Sequence, residues 1–106
     1  KIGSVLQDKD DYDEALVMHR KCLKIREKML GVKHPVTAQS YSNIGSVLHD
    51  KGNYDEALVM HRKCLKIHGE VLGDDHPDIA TSLFNIGSVL HDKGNYDEAL
   101  QDLFHC

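Results

Sequence analysis

The chain contains no apolar run approaching the roughly 20 residues a membrane-spanning helix needs, and no charged-then-apolar leader. It has no basic run either. Thirteen Lys and Arg are interspersed among seventeen Asp and Glu, for a formal net charge of −4. Nucleic-acid binding requires a concentrated footprint of Lys and Arg, so neither nucleic acid nor a membrane is an expected partner. No segment reads as a strand. Aromatic residues are few and tryptophan is absent.

What the chain does have is repetition. Residues 43–58, NIGSVLHDKGNYDEAL, return unchanged as residues 85–100, and a lightly altered copy occupies 2–16. Ile2, Ile44 and Ile86 mark a period of 42 residues. A fixed period between about 20 and 50 residues is the signature of an array of stacked units. The boundaries are 1–36 for a partial first repeat, 37–78 for the second and 79–106 for a partial third. Both ends read as cuts in a longer array. Because roughly three units are needed to bury a continuous core, a marginal fold, or one helped by self-association, is expected.

The three cysteines, Cys22, Cys64 and Cys106, fall at one position of the period. Equivalent sites on stacked helices should lie about 10 Å apart. A disulfide needs Cα atoms within about 7 Å, so reduced thiols in an intracellular, cytoplasmic compartment are expected.

In the complete second repeat, Ala38, Tyr41, Ile44, Gly45 and Leu48 recur three and four apart, as do Tyr54, Ala57, Leu58, His61, Cys64, Leu65, His68 and Leu72. This is the period of two amphipathic helices. Gly52 suits the left-handed position that ends the first helix. Asn53 with Glu56 reads as a capping box for the second, repeated as Asn95 with Glu98 and, in acidic form, as Asp11 with Glu14. Pro35 and Pro77 suit first helical positions. Helices are expected at 1–9, 12–30, 36–51, 54–72, 78–93 and 96–106, with the loosest turn at Asp10, where the other copies have glycine. Gly3, Gly45 and Gly87 fall mid-helix, where Gly costs about 1 kcal/mol against Ala. Close packing of two helices is the favoured reason, recent duplication the other.

The series Ile44-Gly45, Leu48, Gly52, Tyr54, Ala57-Leu58, Cys64-Leu65 and Ile67 resembles the tetratricopeptide repeat. The 42-residue period and the linker Leu72-Gly73-Asp74-Asp75-His76-Pro77 are similar to the long variant of kinesin light chains and nephrocystin-type proteins. The likeness covers the whole chain. Tyr41 and Leu83 stand where shorter repeats often carry Trp, and the cysteines replace a small Ala or Ser. The resemblance implies an all-α, right-handed superhelical solenoid of antiparallel helix pairs. It also implies a non-catalytic scaffold whose concave groove binds a protein or peptide, with no cofactor.

On the family pattern the groove positions are Gln39, Ser42, Asn43, Ser46, His49 and Asp50 in the second repeat. Those of the third are Thr81, Phe84, Asn85, Ser88, His91 and Asp92. Asn43 and Asn85 stand where relatives often hold a ligand main chain, which an amide can do as donor and acceptor, although they could instead bridge neighbouring helices. Asp8, Asp50 and Asp92 tint the floor acidic, favouring a neutral or basic peptide, or form a solvated edge. Phe84 is an anchor or an interhelical packing residue.

Eight histidines invite a metal reading, through His19 with Cys22 and His61 with Cys64. Zinc needs four ligands at about 2.0–2.3 Å, and each pair supplies two, so no metal site is expected. Ser46, His49 and Asp50 form no converging triad in a water-excluding pocket, and no enzyme is expected. The alternative function is self-association through exposed end helices, as a dimer or by helix exchange.

Overall fold

The computed structural model describes residues 9–105, with side chains over 11–95. Among the described residues four helices follow one another: α1 (Lys9–Leu30), α2 (Pro35–Lys51), α3 (Tyr54–Leu72) and α4 (Pro77–His105). There is no strand among the described residues. Each helix packs on the next, and α2 also touches α4.

Local chemistry sets the ends of α2. His34 is extended just before Pro35, and its Nδ1 accepts a hydrogen bond from the Val36 N–H at 3.0 Å. His76 does the same for the Asp78 N–H at 3.1 Å. These histidines therefore serve as helix caps where the following Pro has no N–H to offer. At the other end Gly52 takes φ +94°. The Gly52 N–H donates to the His49 carbonyl at 3.0 Å and the Asn53 N–H to that of Leu48 at 2.8 Å. That is the paired closure of a left-handed C-terminus.

The expected capping box does not form at Asn53, whose side chain makes no cap hydrogen bond. The reversal is already secured by the main chain, and the Asn53 carbonyl takes the Ala57 N–H at 3.0 Å.

The same box fails as a start signal in the other two copies. Residues 93–95 lie inside α4, so the helices expected at 78–93 and 96–106 are one. α1 begins at Lys9, making Asp10 and Asp11 helical where a turn was expected. The reasons are physical. Asp10 in a left-handed turn would cost on the order of 1 kcal/mol, which staying helical avoids. At 93–95 a Gly inside a helix costs only about 1 kcal/mol, and reversal is favoured only when the returning helix gains a surface. The portion of the expected first helix at 1–8 lies outside the described residues.

Two connected clusters form the core. Leu16, Ile44, Leu48, Ala57, Leu58 and Val89 draw on all four helices, and Ala38, Tyr41, Cys64 and Ile67 join α2 to α3. Gly45 explains how closely α2 and α3 approach. An added Cβ there would meet the buried His61 ring at 2.9 Å. Gly87 has nothing within 4 Å, so the close-packing reason holds for Gly45 alone; Gly3 lies outside the described residues.

Contacts between repeats recur at the period. Lys51 Nζ lies 2.6 Å from Asp13 Oδ1, and Lys93 Nζ lies 3.2 Å from Asp55 Oδ1. The Ser40 hydroxyl donates to Cys22 Sγ at 3.8 Å, and Ser82 Oγ lies 3.6 Å from Cys64 Sγ. Cys22 and Cys64 are thus packing residues, each beside a serine of the next repeat.

Candidate functional site

Where the first helices of successive repeats meet, α2 and α4 leave a shallow cleft of about 530 Å³. Its lining is His49, Phe84, Gly87, Ser88, His91 and Asp92. On α4, Phe84, Ser88, His91 and Asp92 share one face through spacings of three, four and seven. His49 arrives from α2, one repeat earlier.

The junction is held by His49 Nε2, 2.6 Å from Asp92 Oδ2. His91 Nδ1 lies 3.5 Å from the other carboxylate oxygen of Asp92. The His49 ring also meets Tyr54 edge-on, with centroids 5.8 Å apart. Hydrogen bonding to His49 holds the Asp92 carboxyl below the ordinary carboxylate range; partial desolvation opposes this and His91 adds to it. Asp92 is therefore an engaged carboxylate, while Asp50 is exposed and Asp8 lies outside the described residues.

Phe84 is 73% exposed at the cleft wall, a large apolar ring presented to solvent. Asn43 and Asn85 are half-buried. The Asn43 Oδ1 accepts from Gln39 Nε2 at 3.3 Å, one turn back on the same helix, so this bond bridges no neighbouring helices. Gln39, Ser46 and Thr81 are exposed, and the Thr81 hydroxyl donates to the Pro77 carbonyl of its own helix at 3.4 Å. Ser42 is buried. Five of the twelve expected groove residues thus converge on one cleft, and the others lie along the two helices or beneath them.

The buried His61 ring packs on Gly45, its Nδ1 without a partner, and burial, with nearby His49, pushes its pKa down. Cys64 lies 3.7 Å from His68 Nδ1, and burial raises its thiol pKa despite the bond to Ser82, keeping it protonated at neutral pH. Among the described residues no group of three or more His, Cys, Asp or Glu is placed to hold a metal ion. No described helix is long and apolar enough to cross a membrane.

A stack of antiparallel helices joined by contacts that recur at a fixed interval defines a helical-repeat solenoid. The tetratricopeptide-repeat family model matches residues 1–68 and 37–103, and the chain belongs to that family. Its repeats generally mediate protein–protein interaction and are typically non-catalytic. No curated protein matches the chain.

Proposed function

We propose that this chain is a cytoplasmic, kinesin light chain-like scaffold that holds a segment of a partner protein along α2 and α4. The observation that carries the reading is the cleft at their junction, where an exposed Phe84 ring stands beside the polar set His49, Ser88, His91 and Asp92. An apolar anchor ringed by a few fixed polar groups is the usual composition of a recognition site. Asn43 and Asn85 take the main chain of the segment, and Gln39, Ser46, Asp50 and Thr81 flank it. Ser42 supports the groove wall from beneath. The carboxylates of Asp50 and Asp92 favour a neutral or basic segment.

A peptide-library screen tests this, run on the wild type beside Phe84→Ala and Asn43→Ala/Asn85→Ala. Peptides that bind the wild type and lose roughly tenfold or more on either variant, with helical content unchanged, support the groove. Binding that neither variant alters places the contact elsewhere. A second reading, self-association through the end helices, is favoured by the uncovered face of α4 (Leu83 and Leu90 exposed, Gly87 open).

A further inference from the structure

The joint between α2 and α3 is built from two facing stripes. Ala38, Tyr41, Gly45 and Leu48 line one side of α2; Ala57, His61, Cys64 and Ile67 line the opposing side of α3. Spacings of three and four put each set on one helix face. All of these residues are buried, and the His61 ring seats against Gly45.

One period away, α4 and α1 carry the same stripes without that cover. α4 holds the α2 half as Ala80, Leu83, Gly87 and Leu90, all exposed, Leu83 at 55% and Leu90 at 46%. Gly87 has open space where Gly45 has a ring. α1 holds the α3 half as Ala15, His19, Cys22 and Ile25. Each is more exposed than its α3 counterpart, and Ile25 reaches 63% where Ile67 is at 7%.

We propose that this chain stacks head to tail on copies of itself, α4 of one copy packing against α1 of the next in the register of the α2–α3 joint. The His19 ring of the next copy then takes the space open above Gly87, and Ile25 of that copy meets Leu83. Covering both stripes removes apolar surface from water, which drives the association. Charge agrees with the register. Lys33 Nζ lies 3.8 Å from Glu70 Oε1 across the α2–α3 joint, and the counterparts of that pair are Asp75 and Lys28. The signs are exchanged but still opposite, and both residues are exposed. Because the two surfaces differ, the contact is heterologous, and each added copy presents a new free face. The partner is therefore a second copy of this chain, and the product is an open row. The inference rests on the self-association reading and gives it two named faces; peptide capture in the cleft is a separate reading.

Two single-cysteine chains test the register. Both have Cys22, Cys64 and Cys106 changed to Ala; one then carries Gly87→Cys and the other His19→Cys. Oxidised alone, each should stay a monomer on a non-reducing gel, and a one-to-one mixture should give a reducible dimer. The pair Gly45→Cys/His61→Cys in one chain, whose wild-type residues touch, is the control and should close internally. A dimer from Gly87→Cys alone reveals a two-fold contact and overturns the stack. So does a mixture that stays monomeric while the control pair closes.

Light scattering on the unaltered chain gives a second readout: a mass that rises with concentration past that of a dimer. A mass constant at one copy overturns the stack and the self-association reading together. Growth without the 19/87 bond overturns the stack alone. Lys28→Glu sets a carboxylate against Asp75 and should weaken association roughly twofold to fivefold. Adding Asp75→Lys recreates the Lys33–Glu70 arrangement and should restore it. Association indifferent to both changes contradicts the register.

Discussion

Residues 43–58 and 85–100 share every side chain, but the first folds as helix, left-handed glycine, helix, and the second as an unbroken helix. In the first, Leu48 is 1% exposed; in the second, its counterpart Leu90 is 46% exposed. Local propensity cannot separate two identical strings. What differs is the neighbour: among the described residues, the 43–58 hairpin lies between α1 and α4, while α4 packs on α3 and touches α2. The turn signal Lys-Gly-Asn therefore permits reversal without imposing it. Packing across the hairpin decides, and the open copy is the one that leaves Phe84 and a cleft at the surface.

The same substitution made in both copies sharpens the contrast. Leu48→Ala empties a fully buried site and should cost about 2–5 kcal/mol in urea unfolding, whereas Leu90→Ala should stay within roughly 0.5 kcal/mol for the monomer. Equal losses would mean that both faces are covered. Next in size is Gly45→Ala. Its methyl group would meet the His61 ring, an overpacking cost of roughly 1–3 kcal/mol that the gain in helix propensity of about 1 kcal/mol offsets only in part. Gly87→Ala has no such neighbour and should stabilise the monomer by up to about 1 kcal/mol.

The two hinge glycines should also part company. Gly52→Ala places a side chain at φ +94° and should destabilise by about 1 kcal/mol, while Gly94→Ala should stabilise by a similar amount. Thermal or urea unfolding of the two variants decides, and matching signs would contradict the difference in backbone.

The smallest effect is a pH dependence confined to the closed copy. Burial, and then His49, lowers the pKa of His61 below the ordinary 6.5. Above 6.5 neither folded nor unfolded chain carries that proton. Below it the unfolded chain takes up a proton that the fold refuses, so stability falls as pH drops from 6.5 toward the folded value. His61→Leu should flatten that part of the curve. Urea midpoints for wild type and variant at a series of pH values measure it, and parallel curves would show that His61 takes no part.

Much of the fold was legible in the residues. The 42-residue period, the helices of the second repeat and the reversal at Gly52 all follow from spacing and turn chemistry. The fate of the third copy was not, because its letters are those of the second and only tertiary contact tells them apart. Capping went the other way: Asn53 looked like a side-chain cap but main-chain bonds suffice, while His34 and His76 cap α2 and α4. Their signal was present, as His-Pro at each helix start.

The inter-repeat pairs were legible by arithmetic, since Asp13 with Lys51 and Asp55 with Lys93 are the same pair moved by one period. In the candidate site, spacing along α4 was enough to group Phe84, Ser88, His91 and Asp92. It could not foresee that Ser42, at the position of Phe84, is buried, because neighbours differ where register does not.

One sequence holds two backbones in this chain, and the chemical shifts of Gly52 and Gly94 report each backbone separately. Left-handed shifts are expected for Gly52 and helical shifts for Gly94, with helical shifts continuing through Asn95 and Tyr96. Matching left-handed shifts at both glycines would contradict it, and would mean that the third repeat closes on itself as the second does.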